Sequence, residues 1–222
     1  MKADRARERE RPYPPSSTAS AMASTPTIAS AHEICRRGTK AEVLKVIKRL
    51  KDKDRINEKD QDYEQTLLHI LSENGRLDLC IFLIDKCRAG VNEVDKSGWT
   101  PLHSAASSGH IDVLEALLQR GAFVRALTDE QASALHYFVR NSCSDPAVLH
   151  RVISAFVAKG ADLNQKNKHG ETALHQAAMR GRAQCLLCLL NFKADVNSIT
   201  TYVIARAPPL PLLPLPLSPS FD

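Results

Sequence analysis

The chain has 222 residues, 43% of them apolar, with 30 Lys and Arg against 25 Asp and Glu, enough apolar material for a sizeable core. The formal charge of +5 is concentrated in one segment, which excludes a protein that coats nucleic acid along its whole length, and no DNA partner is expected. No run of about 18 apolar residues is present, so no transmembrane segment is expected; six cysteines without an apolar secretory leader read as free thiols in a reducing, cytoplasmic compartment, with the nucleus as the alternative.

Residues 1–27 open with alternating charges (KADRARERER) and pass through Tyr13-Pro14-Pro15 into a Ser, Thr and Ala run. So little apolar surface cannot offset chain entropy, and a disordered leader is expected. Asp4, Glu8 and Glu10 argue against a mitochondrial presequence, which is poor in acids.

Residues 28–60 read as a degenerate N-terminal capping unit. Val43, Leu44, Val46, Ile47 and Leu50 form one side of a helix, and Lys40, Lys45, Lys48, Arg49 and Lys51 form the other. From Arg36 to Arg55 there are nine basic and three acidic residues, a balance of +6 that leaves about −1 for the remainder. Two readings of this basic side stay open: a solvated outer face, as a terminal repeat requires for solubility, or a docking site for an acidic protein or phosphoinositide surface.

Residues 61–94 form the first full unit, whose logic is plainest in the next, residues 95–127. There Thr100 is an N-cap, Pro101 occupies the first helical position, and Leu102 to Ser108 carries a short helix ended by Gly109. A second helix runs from about Ile111 to Arg120, and Gly121 stops it. Leu102, Ala105, Ala106, Val113, Leu114, Leu117 and Leu118 fall on the facing sides at helical spacing. A pair this small cannot bury that stripe alone, so copies are expected on both sides.

They are present. Thr100-Pro101-Leu102-His103 is echoed by Thr66-Leu67-Leu68-His69, 34 residues before, by Ser133-Ala134-Leu135-His136, 33 after, and by Thr172-Ala173-Leu174-His175, a further 39 on. The pattern resembles the ankyrin repeat, with its period of about 33 and its T-P-L-H-x-A core. The resemblance covers Ala31 to Ile199. It implies an all-α solenoid of helix-turn-helix pairs joined by hairpin-like loops, with disordered N- and C-terminal segments.

The copies depart from one another in readable ways. Residues 61–94 carry Glu64 and Leu67 where the turn glycine and the proline belong. Residues 128–166 hold a surplus expected in the loop at Asn141 to Ser144, before Asp145-Pro146 restarts the second helix as N-cap and first-turn proline. In residues 167–199, Lys193 stands where Gly121 sits two units earlier and must take or avoid a left-handed cap.

After Ile199 the pattern stops, and residues 200–222 form a Pro-rich tail, APPLPLLPLPLSPS at its centre. No polar cap follows the last unit. The expectation is an alternative or truncated end of a longer array, monomeric unless the uncapped last unit self-associates. The PxxP spacings at Pro208 to Pro211 and Pro211 to Pro214 suit an SH3 domain, although Arg206 lies one residue short of the usual anchor spacing.

His69, His103, His136 and His175 recur once per unit, on stacked elements about 10 Å apart, too far to share an ion. They are expected to make structural hydrogen bonds. Cys185 and Cys188 have CxxC spacing but lie inside a predicted helix and read as packed thiols. No phosphate loop, carboxylate pair or nucleophile constellation emerges, so no metal, no cofactor and no enzyme activity are expected.

The resemblance implies that a protein partner lies along the hairpin tips and the exposed side of the first helices. Carried over by alignment, those positions are Tyr63, Lys96, Ser97, Trp99, Ser107, Ser108, Arg140, Lys168, His169, Met179 and Arg180, with Asp62, Gln65, Glu73, Asn74, Asp129, Glu130 and Glu171 beside them. Trp99, the lone tryptophan, is expected either to anchor the partner or to pack on its own hairpin. The function expected is a non-catalytic scaffold or adaptor. Alternatives are a stoichiometric inhibitor of a signalling enzyme such as a kinase, or the targeting region of a larger signalling enzyme.

Overall fold

The computed structural model describes residues 28–50, 53–141 and 145–198, the side chains of residues 28–30, 53 and 54 excepted. The expected leader, the Pro-rich tail and residues 142–144 of the insertion lie outside the described residues. Within them are eleven helices: α1 (Ile28–Arg37), α2 (Lys40–Arg49), α3 (Lys53–Ile56), α4 (Leu67–Glu73), α5 (Leu77–Cys87), α6 (Pro101–Ser108), α7 (Ile111–Gln119), α8 (Ala134–Asn141), α9 (Pro146–Ala158), α10 (Ala173–Met179) and α11 (Ala183–Asn191). Among the described residues there is no strand, only a single antiparallel bridge between Leu127 and Ser133.

Apart from the single-turn α3, the helices stack in two layers. α1, α4, α6, α8 and α10 each pack on the next in one layer, and α2, α5, α7, α9 and α11 do so in the other. The chain therefore alternates layers with every helix, and the core is the seam between them.

Equivalent positions of successive units form buried columns. Leu83, Leu117, Phe156 and Leu189 are all wholly buried, as are Leu68, Leu102 and Leu135 one layer over. Covering each leucine is worth about 2 kcal/mol, and no unit can do it without its neighbour. Alanines at 105 and 106 let the helix axes approach, so shape as well as apolarity sets the stacking.

Polar bonds run along the same stack. Arg120 donates through Nε and Nη2 to both carboxylate oxygens of Asp85, each at 2.9 Å, tying α7 to α5. That hydrogen bond holds the Asp85 carboxyl below its ordinary range. Arg151 Nε donates to Glu115 Oε1 at 2.6 Å, tying α9 to α7. Side-chain amides fasten the loops: Asn57 Oδ1 accepts from Gly90 N–H at 2.8 Å, Asn92 Oδ1 from Phe123 N–H at 2.8 Å, and Asn164 Oδ1 from Asp195 N–H at 2.8 Å.

The chain reverses through left-handed residues at three recurring places, one of them the turn between the paired helices, at Gly75, Gly109 and Gly181. At the hairpin tips these are Glu64 (φ 55), Gly98 (φ 73), Gln131 (φ 56) and Gly170 (φ 74); behind the second helices they are Arg88 (φ 56), Gly121 (φ 86), Gly160 (φ 84) and Lys193 (φ 64). Lys193 thus takes the left-handed cap rather than avoiding it. The geometry is set by the stack, and non-glycine residues in it carry a local cost of order 1 kcal/mol.

The third unit exceeds the second by six residues; α9 has 13 residues where α7 has 9, and residues 142–144 of the expected loop lie outside the described residues. Four surplus residues therefore lengthen the helix by about one turn at its N-terminus. Asp145 caps it as expected, accepting from Ala147 N–H at 2.9 Å. Once Asp145-Pro146 supplies a start signal, Ala147, Val148 and Leu149 propagate helix more favourably than they would form loop.

Candidate partner-binding surface

The hairpin tips are built by short acceptors. Asp95 Oδ1 accepts from Ser97 N–H at 2.8 Å and Trp99 N–H at 2.9 Å, while Asn167 Oδ1 accepts from His169 N–H and Glu171 N–H, both at 2.9 Å. Asp60 Oδ1 does so for Tyr63 N–H at 2.9 Å and Gln65 N–H at 3.1 Å. These residues organise the loops through their own backbones, as Asp and Asn do wherever the carboxyl or amide can reach two residues on.

Each tip is then bonded to the next. Lys96 N–H donates to the Tyr63 carbonyl at 3.0 Å, Asp129 N–H to Ser97 at 3.0 Å, and Lys168 N–H to Glu130 at 2.8 Å. The tips form one continuous edge, with Lys96, Ser97, Lys168 and His169 exposed along it. Lys168 Nζ lies 3.5 Å and His169 Nε2 4.0 Å from the Glu130 carboxylate.

The recurring histidines hold tips and helices together. In each full unit the N-cap residue donates twice to the imidazole Nδ1, from its N–H at 3.1 to 3.2 Å and from its hydroxyl at 2.8 to 2.9 Å. The proton is therefore on Nε2, which His69 donates to the Trp99 carbonyl at 2.9 Å and His136 to the Glu171 carbonyl at 3.1 Å. His32 of the capping unit repeats the bond to Gln65 at 2.9 Å. These are the structural hydrogen bonds expected, and each reaches into the following unit.

His103 breaks the series. Its Nε2 is buried without a hydrogen-bond partner, although the carbonyls of Ala132 and Ala126 lie close enough to favour a protonated ring. Burial outweighs them and pushes the imidazole down to about 4; burial lowers His136 as well.

Cys185 and Cys188 are buried on one side of α11, and burial raises the Cys188 thiol. Cys35 and Cys80 are pushed up to about 12 by burial, so neither thiolate forms near neutrality. Among the described residues no group of three His, Cys, Asp or Glu side chains is placed to hold a metal ion.

Trp99 stands at the hairpin tip, with its side chain against the next unit. Its half-buried ring lies 4.5 Å from the ring of Tyr137, on the first helix of the next unit, and 6.2 Å from His103. The Arg140 guanidinium stands over the same Tyr137 ring, 5.8 Å from its centroid. Tryptophan, tyrosine and arginine thus make one shelf running from the tip at 99 to the first-helix face at 140. Tyr137 went unnoticed in the sequence because its counterparts, Ile70, Ser104 and Gln176, carry no aromatic to suggest a pair.

The remaining candidates spread along the same side. Tyr63 is half-buried with the Arg36 guanidinium 5.9 Å over its ring. The Ser107 carbonyl accepts from Asn141 Nδ2 at 2.6 Å, while the neighbouring Ser108 is exposed. Met179 is 59% exposed beside exposed Arg180. Gln65, expected on the tips, is instead wholly buried, with its Oε1 3.4 Å from Arg36 Nη2, because its carbonyl must face His32.

The model of ankyrin repeats in triplicate matches residues 31–128 and again residues 123–200. The chain belongs to the ankyrin-repeat family. Ankyrin arrays serve as protein-interaction scaffolds. A "Probable serine/threonine-protein kinase" of Dictyostelium discoideum is 34% identical over 132 residues, 56% of this chain and 15% of that protein. The 26S proteasome non-ATPase regulatory subunit 10 of the same organism is 40% identical over 88 residues, 36% of this chain and 38% of that one. Rabankyrin-5 of Homo sapiens is 31% identical over 145 residues, 63% of this chain and 12% of that one. This ankyrin chain spans less than two-fifths of the length of any of these relatives. No helix among the described residues is long and apolar enough to cross a membrane.

Proposed function

We propose that this ankyrin chain is a non-catalytic adaptor of the cytoplasm that grips one protein partner along the tips and first helices, with the Trp99–Tyr137–Arg140 shelf at the centre of the contact. The observation that carries the reading is the shelf itself: two aromatic rings 4.5 Å apart and tilted 45° to each other, with a guanidinium beside them, half-exposed on the side that the family uses. Aromatic and arginine side chains of this kind are the usual anchors of interfaces. Lys96, Ser97, Ser107 and Ser108 flank it on one side, and Lys168, His169, Met179 and Arg180 on the other; Tyr63 extends it toward the N-terminal unit. The proteasomal relative, whose name is that of a subunit, supports assembly with other proteins.

The test is affinity purification with the wild-type chain and with Tyr137→Ala and Arg140→Glu, each checked for an unchanged circular dichroism spectrum. A partner retained by the wild type and lost with both variants is expected. A partner held equally by all three overturns the placement of the contact. A second reading, the targeting region of a larger signalling enzyme, is favoured by the relative named as a kinase; transcripts that continue the frame into a catalytic domain would decide for it.

A further inference from the structure

One polar bond recurs at the junctions between units and fails at a single junction. Past the end of a second helix, an asparagine of the preceding unit reaches across to the loop. Asn57 Oδ1 accepts from Gly90 N–H, Asn92 Oδ1 from Phe123 N–H and Asn164 Oδ1 from Asp195 N–H, each at 2.8 Å. Asn92 Nδ2 also donates to the Gly121 carbonyl at 3.1 Å, so one amide serves both a donor and an acceptor of the loop.

Between the second and third units the equivalent position is Arg125, and Gly160-Ala161-Asp162 aligns with Gly121-Ala122-Phe123. Arg125 Nε donates to the Gly160 carbonyl at 2.7 Å, which reproduces the bond to Gly121. A guanidinium has no acceptor, so the other bond cannot form. Among the described residues Asp162 N–H has no partner, and neither do the outer N–H groups of Arg125 on Nη1 and Nη2.

Arg125 and Asp162 line the same cleft, of about 360 Å³, together with Ser133 and Gln165. The other polar groups there are engaged. The Ser133 hydroxyl is bonded to His136 Nδ1, Gln165 Nε2 donates to the Lys166 carbonyl, and Asp162 Oδ1 accepts from Asn164 N–H in its own loop. What the cleft offers is a backbone N–H and a guanidinium fork, with the oxygen that elsewhere joins them missing. Two residues before Arg125 in the same loop, Phe123 stands where the later units have Asp162 and Asp195, and it is 65% exposed. Its N–H is fixed by Asn92, so the ring is presented from an ordered loop and loses little freedom when covered.

We propose that this cleft is a second docking site, sharing no residue with the Trp99 shelf, and that it takes the carboxylate of an aspartate or glutamate in an extended segment of a protein partner. One carboxylate oxygen takes the place of the missing asparagine oxygen and accepts from Asp162 N–H. The other accepts from Arg125, and an apolar side chain beside the acid covers Phe123. A neutral carbonyl would fill the first place and leave the guanidinium unused, whereas a carboxylate has an oxygen for each donor and makes the stronger, charge-assisted bonds. The Asp162 carboxylate beside the cleft opposes a doubly charged phosphate more than a singly charged acid.

The test is an NMR titration of the full chain with three probes: acetyl-Leu-Glu-Leu-amide, the same peptide with Gln in place of Glu, and inorganic phosphate. The signals of the Asp162 amide and the Arg125 Nε–H are followed up to about 10 mM probe, the range in which so small a contact binds. The acidic peptide is expected to move both signals to saturation, with the Gln peptide about tenfold weaker or more. Phe123→Ser should weaken the acidic peptide about fivefold and leave phosphate unaffected. Arg125→Asn rebuilds the asparagine bridge, so it should abolish binding and raise the melting midpoint at the same time. An Arg125→Asn chain that keeps binding, or that melts lower, overturns the proposal. So do an Asp162 amide that moves with neither peptide and equal binding of the two peptides. Phosphate binding tighter than the acidic peptide would assign the cleft to a free anion and overturn the protein partner.

Discussion

Acid should loosen this stack well before its carboxylates titrate, through His103. The imidazole is wholly buried, and its Nδ1 is filled by two donors from Thr100, at 3.1 Å from the N–H and 2.8 Å from the hydroxyl. A second proton must go onto Nδ1, where it would meet those donors head-on and release the cap of α6. Burial pushes the folded ring down to about 4 from an ordinary 6.5, with Ala132, Ala126 and Asp95 opposing and His69 assisting. The unfolded chain therefore binds more protons than the folded one between those two values, and stability falls as pH drops through that window. With 6.5 unfolded and about 4 folded, moving from pH 7.5 to pH 5 costs roughly 2 kcal/mol, approaching about 3 kcal/mol below pH 4. His136, lowered for the same reason, adds in the same direction. The assay is urea unfolding followed by circular dichroism at half-unit steps from pH 7.5 to 5, where the midpoint should drop by about 1 M. His103→Gln is the control, since Gln at this position can still reach back to the N-cap N–H but does not titrate. Its stability at pH 7.5 can be lower, but its slope with pH should be flatter by about 2 kcal/mol over the range. Parallel pH curves for wild type and variant would refute the reasoning.

Three further outcomes are expected. Trp99→Ala should weaken partner binding by about 2 kcal/mol or more and also lower the melting midpoint, because the ring stacked 4.5 Å from Tyr137 ties two units together; Tyr137→Phe should spare both, as calorimetry and thermal melts would show. Gly75→Ala should destabilise by about 2 kcal/mol, since Gly75 has φ +66 and an added Cβ would lie 2.4 Å from His110 Nδ1; the double change with His110→Ala should recover the part due to the clash, and equal losses in both would contradict it. Lys193→Gly should stabilise by about 1 kcal/mol by relieving the left-handed φ of 64, read as a higher unfolding midpoint; an unchanged midpoint would mean the cap is not strained.

Much of the fold could be read from local signals. Thr100, Pro101 and Gly109 start and end α6 with no help from elsewhere, and Asp145-Pro146 starts α9. The alignment on T-P-L-H placed every first helix, since the threonine or serine, the leucine and the histidine act within one turn. Signals that act between units were harder to see. Arg88 and Gln131 take left-handed conformations that nothing in their own chemistry announces, because the positions are imposed by the units on either side. Gln65 looked like a tip residue and is buried, since the His32 bond draws its backbone inward.

The surface shows the same division more sharply. Which residues lie along the tips and the outer side of the first helices was carried over by aligning the units on the ankyrin pattern, and the helical part of that register rests on periodicity. That Trp99 meets Tyr137 beside Arg140 could not be carried over in this way, since the two rings lie 38 residues apart in the chain and come together through the superposition of one unit on another. Helix starts, stops and apolar stripes come from neighbours within a turn, so the order of residues carries them. Columns and shared histidine bonds exist when units are stacked, because burial there belongs to pairs of units and to no single stretch of chain.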